Sequence, residues 1–133
     1  MENIVYLERK DLEENLVVIK INRSYKEGMS EQELYEVTRG KWKRRLENVQ
    51  HIKYALSVCK GIVVEVYEID SWAEATPDFE DKFKYYPSRY GRIEFTGKVA
   101  SKIIRDKYIG KSVAHLYKYG EANPIKTFLV DQN

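Results

Sequence analysis

The residues best suited to chemistry form a basic run around a tryptophan. In TRGKWKRRLENVQHIK, Arg39, Lys41, Lys43, Arg44, Arg45 and Lys53 face the single acid Glu47. Cations at this density attract a polyanion, because each neutralised phosphate releases condensed counterions. Trp42 adds an indole on which an unstacked base can lie. Trp72 offers a second such ring, opening what reads as a long irregular stretch from Asp70 to Tyr90. Either ring can instead plug the core, and a basic run can be a solvated face. Residues 101–118 hold a second basic cluster, with Lys102, Arg105, Lys107, Lys111 and Lys118 against Asp106.

Three smaller constellations also invite chemistry. Ile109-Gly110-Lys111-Ser112 resembles the end of a phosphate-binding loop, but Arg105 stands where its first glycine belongs and the preceding segment reads as helix, so a nucleoside-triphosphate site is rejected. Lys111 and Ser112 still offer donors to a phosphodiester. Ser112 and His115 lie three apart, yet no motif supplies an orienting acid and Ser112 is not in a nucleophile elbow, so a surface histidine is the better reading. Glu65, Glu68 and Asp70 have the spacing to share a strand face, as a nuclease needs to hold magnesium. Charged termination of a sheet edge explains them more simply.

The scaffold that positions these side chains is small. With 133 residues, 43% hydrophobic and 33% charged, and only 7 Gly and 3 Pro, the chain fits one folded domain over 1–133 and no low-complexity class. The sequence has no long uncharged apolar run, and MENIVYLERK lacks the pattern of a signal peptide, so no membrane contact and a cytoplasmic location are expected. Cys59 is the only cysteine, which removes an intrachain disulfide; with only His51 and His115 beside it, a structural zinc lacks ligands, and no cofactor is implied. On a strand, Cys59 should behave as a small buried hydrophobe. The aromatic content is high, with 11 Tyr, 4 Phe and 2 Trp, and the charge is segregated: residues 1–36 carry 9 acids against 5 bases.

Periodicity gives the elements. Leu16–Asn22 is a β-branched strand, and Ser30 with Glu33 forms a capping box for a helix to Arg39, with Leu34, Val37 and Thr38 as its buried stripe and Gly40 at its end. His51–Cys59 and Ile62–Ile69 pair as a hairpin across Lys60-Gly61. Arg92–Val99 is a strand with Ile93, Phe95 and Val99 inward, Ser101 caps a short helix to about Lys107, and Ile125–Val130 is the last strand after the Asn123-Pro124 turn. Without regular βαβ alternation, the expected architecture is α+β: a small, strongly curved mixed β-sheet or partly open barrel with two or three short helices.

Over about residues 33–130, the segments YEVTRGKWK, YALSVCKGIVVEVYEIDSW and GRIEFTGKVASKIIRDKYIGKSVAHLYKYGEANPIKTFLV resemble the PUA-like superfamily, with its EVE, ASCH, YTH and SRA branches. The resemblance implies a curved barrel with a concave pocket for RNA or for a modified base, and it points to Ser112 and Asn123 as the polar residues that read the base edge. The expectation is a non-catalytic nucleic-acid-binding module, for DNA or RNA, that uses Arg39, Trp42, Lys43, Arg44, Arg45, Trp72, Lys111, Ser112 and Asn123. A metal-dependent nuclease built on Glu65, Glu68 or Asp70 is the alternative, and a binder of a small metabolite or partner protein is a third reading.

Overall fold

The computed structural model describes residues 3–75, 92–118, 120–121 and 123–130. Six strands form one mixed sheet: β1 (Leu16–Lys20), β2 (Trp42–Lys43), β3 (Tyr54–Cys59), β4 (Ile62–Glu74), β5 (Arg92–Val99) and β6 (Ile125–Phe128). Their order is β2-β5-β4-β3-β1-β6, with β1 parallel to β3 and every other pair antiparallel. The sheet curls until it is nearly closed into a barrel. Two helices accompany it, α1 (Glu31–Arg39) and α2 (Lys102–Tyr108), and among the described residues no helix is long and apolar enough to cross a membrane. The α+β class and the barrel-like mixed sheet are as the sequence predicts.

The middle of the sheet is buried on both faces, so its strands read as apolar runs. One face gathers Val17, Ile19, Ala55, Tyr67, Ile93, Phe95 and Ile125, with Trp42 and Trp72 packed against them; every strand contributes, which makes this the barrel interior. The other face gathers Leu16, Val18, Leu56, Val58, Val63, Val66 and Phe128 beneath α2 and the N-terminal segment. Burial of the Tyr67 hydroxyl in the first cluster pushes its pKa well above the ordinary tyrosine value, reinforced by Glu65.

Local signals explain the element ends. The Ser30 hydroxyl accepts from the Glu33 N–H (3.1 Å) while the Glu33 carboxylate accepts from the Ser30 N–H (3.2 Å), so the capping box closes as expected. At the β3–β4 turn both Lys60 (φ 50°) and Gly61 (φ 79°) occupy the left-handed region, as a two-residue hairpin of this twist demands. Four expectations need correction. β3 begins at Tyr54 rather than His51, because the Ile52 N–H closes a turn onto the Val49 carbonyl (3.0 Å). β4 runs on through Asp70, Ser71 and Trp72 to Glu74, so that stretch is strand rather than loop, and only 76–91 of the expected irregular connection falls outside the described residues. Val99 is 40% exposed instead of inward. Cys59 is half-buried rather than buried.

Candidate functional site

The basic run leaves the end of α1, and most of its cations are already engaged. β2 is only two residues long and pairs with β5 at Arg92 and Ile93, and among the described residues the outer edge of β5 has no strand partner beyond that point. Side chains of α1 take over that edge. The Arg39 Nε–H donates to the Phe95 carbonyl (3.0 Å) and its Nη1–H to the Glu94 carboxylate (2.8 Å), while the Gly97 N–H donates to the Tyr35 hydroxyl (3.0 Å). An edge satisfied in this way cannot template another strand. Arg44 acts at the opposite seam, where its guanidinium donates to the Ile125 carbonyl on β6, the other edge strand of the sheet. Lys43, Arg45 and Lys53 are exposed; the Arg45 side chain is 80% exposed and 3.6 Å from Glu47.

Trp42 is a structural ring. It is half-buried on the interior cluster, and its Nε1–H donates to the Thr38 carbonyl (2.8 Å), satisfying one of the backbone acceptors that a helix leaves open at its C-terminal end. The Thr38 hydroxyl donates to the Leu34 carbonyl (2.7 Å) and lies 2.9 Å from the Ser57 hydroxyl, both residues being fully buried. Helix end, tryptophan and sheet are thus tied by one polar chain.

Trp72 sits differently. β4 carries two irregularities: Val64 is the extra residue opposite β3, between Glu65↔Ser57 and Val63↔Val58, and Asp70 is the extra residue opposite β5, between Ile69↔Gly97 and Ser71↔Thr96. Each inserted residue reverses the in-out alternation. Tyr67 and Ile69 therefore face the interior at odd positions and Trp72 at an even one, where it pairs with Phe95, its ring edge-on at 5.3 Å and 66°. Gly97 makes room for the second bulge, since a Cβ there would lie 2.2 Å from the Glu68 carbonyl oxygen. The Trp72 Nε1–H is buried and has no hydrogen-bond partner among the described residues.

Beside Trp72 lies a cleft of about 480 Å³ whose walls include Leu46, Ile52 and Ile69 and the polar residues Asn15, Gln50, His51, Lys53, Asp70 and Ser71. Its size falls in the range of small-ligand sites, about 300–1,000 Å³. Asp70, His51 and Lys53, which line it, are exposed, and Asp70 makes no hydrogen bond or ion pair among the described residues.

The remaining predicted residues lie elsewhere. Ser112 is 5% exposed, and its backbone joins the N-terminal segment to the start of β4: its N–H donates to Val5 (2.8 Å), its carbonyl accepts from Leu7 (2.8 Å), and its hydroxyl accepts from the Ala114 N–H (3.1 Å). Lys111 borders a separate depression with Tyr6, Lys10 and Lys107. The Asn123 side chain accepts from the Ile125 N–H (3.1 Å), fixing the entry to β6. His115 contacts Glu8 at 2.7 Å and stacks on Tyr6 at 4.3 Å, so Ser112 and His115 form no nucleophile-base pair. The carboxylates disperse as well: Arg105 grips Glu65 bidentately (2.8 and 3.2 Å), Lys98 faces Glu68 at 3.9 Å, and among the described residues no group of three metal-ligating side chains converges.

Of the nine predicted positions, the structure brings Trp42 and Trp72 to one face of the sheet, and Trp72 alone borders the cleft. Nothing in the sequence singles out Gln50, His51 and Asn15, because they meet Trp72 only once β3 pairs with both β1 and β4. Asp70 reads in sequence as a candidate metal ligand or a charged end of a sheet edge. The usable signal was the Asp-Ser-Trp triplet interrupting an apolar run. Compared with family models, with curated proteins and with solved structures, the chain matches none.

Proposed function

We propose that the chain is a non-catalytic nucleic-acid-binding module of PUA-like type, acting in the cytoplasm, that takes one flipped or modified base of DNA or RNA into the cleft beside Trp72. The observation that carries this reading is the cleft itself: an indole in the wall of a 480 Å³ recess that also offers amide, hydroxyl and charged groups. A base drawn out of a stack loses a π-face and the hydrogen bonds of its edge, and such a wall replaces both. Lys43, Arg45 and Lys53, exposed on the same stretch of chain that supplies Leu46 and Gln50 to the cleft, supply the sequence-independent attraction for phosphate.

The test is a titration of a labelled nine-nucleotide single strand at two salt concentrations, with wild type and Trp72→Leu. The reading expects affinity to fall steeply with salt and Trp72→Leu, still folded by thermal melt, to lose about 1–3 kcal/mol of binding. Absence of binding, or binding indifferent to both salt and Trp72→Leu, overturns it.

A further inference from the structure

Asp70 is the inserted residue of the second β4 bulge, and bulges re-aim the side chain they add. Asp70 lines the cleft beside Trp72 and is exposed, and among the described residues no cation pairs with its carboxylate. In a site for a polyanion that placement is informative. A carboxylate repels phosphate, so its favourable contact is with a group presenting N–H donors, and an ionised carboxylate only accepts. The nucleobases differ in what they offer. Guanine presents N1–H and N2–H side by side, matching the two carboxylate oxygens; adenine and cytosine set one amino donor beside a ring acceptor that faces the second oxygen unfavourably, and uracil and thymine flank one N–H with two carbonyls.

Resting on the reading of the cleft as a base site, we propose that it selects guanine, with the Trp72 ring stacking on the base and the Asp70 carboxylate accepting from N1–H and N2–H. The carboxylate that weakens general affinity for the backbone thereby becomes the source of base choice.

The experiment uses the full chain and a nine-nucleotide oligothymidine whose central position is guanine, hypoxanthine, adenine, cytosine or thymine. Hypoxanthine keeps N1–H but lacks the amino group, so it isolates one of the two bonds. Guanine is expected to bind about tenfold or more tighter than hypoxanthine and tighter than the other three, and Asp70→Asn, folded by thermal melt, is expected to erase that order while still binding the thymidine strand. Equal, salt-dependent binding of all five strands overturns guanine selection and leaves the base site standing. A guanine preference that survives Asp70→Asn overturns the role of Asp70. Binding of none of the strands overturns both the selection and the site.

Discussion

Trp42 and Trp72 point into the same cluster from β2 and β4, the two strands that flank β5, yet they are held in opposite ways. Trp42 arrives on a two-residue strand, surrounded in sequence by cations, with its indole N–H donated to Thr38 and the helix end fastened beneath it. Trp72 arrives on a thirteen-residue strand after a bulge, lining a cleft, with its N–H buried and unpaired among the described residues. Charge density around a ring therefore says little about how the ring is held. Of the cations around Trp42, Arg39 and Arg44 donate to carbonyls on β5 and β6 and fasten the barrel, whereas Lys43 and Arg45 stay exposed.

The widest separation should come from truncating the fastened ring. Trp42→Ala removes packing and leaves the Thr38 carbonyl without its donor, and a loss of about 3–5 kcal/mol in a denaturant melt is expected. A loss below about 1 kcal/mol would break the contrast by making Trp42 a surface ring.

Replacing each indole by a phenyl ring removes the donor with the same loss of ring size at both positions. Trp42→Phe should cost about 1 kcal/mol more than Trp72→Phe in the same melts, because the first breaks a hydrogen bond and the second removes a buried donor that has none. Equal costs would mean that the two indole N–H groups do not differ.

A control lies on α1, away from both rings. Ser30→Ala should cost about 1 kcal/mol through loss of the cap. The Ser30 backbone and hydroxyl hold the Glu33 carboxyl below its ordinary 4.5, and hydrogen bonds from Lys126 and the Lys118 backbone do the same for Glu121. A carboxyl whose folded pKa is depressed stabilises the fold above its unfolded pKa, and that contribution disappears as pH falls through the folded value. The stability difference between wild type and Glu33→Gln should therefore shrink as melts are taken from pH 7 to below about 4. A difference that stays constant over that range would remove the Glu33 carboxylate from the cap.

The smallest effect on stability belongs to the exposed cation. Arg45→Ala should change stability by less than about 0.5 kcal/mol and, where a strand is bound, flatten the salt slope by about one unit. Arg44→Ala should instead lower stability, since its guanidinium spans the seam between β2 and β6.

What the sequence disclosed follows from how local each signal is. The α1 capping box lies within the four residues from Ser30 to Glu33, and the β3–β4 turn is set by the adjacent Lys60 and Gly61; both read correctly from the chain. The extension of β4 past Ile69 did not, because Asp70 breaks the alternation by which a strand is recognised, and the glycine that accommodates the bulge lies 27 positions away on β5. The fates of Arg39 and Arg44 were hidden for the same reason, their partners being 56 and 81 residues distant. For the candidate cleft, the sequence pointed to Trp72 but set the basic residues around Trp42, whereas the polar wall of Asn15, Gln50 and His51 exists only once β3 pairs with both β1 and β4.

The central claim is that Trp72, and not Trp42, meets the ligand. The chain has 2 tryptophans, so Trp42→Phe and Trp72→Phe each leave a single fluorescent indole. Titrating both with the guanine-centred single strand reports directly on which ring is touched. The account predicts strong quenching in Trp42→Phe, where Trp72 is the reporter, and a nearly flat signal in Trp72→Phe. Quenching confined to Trp72→Phe, where Trp42 is the reporter, would contradict it.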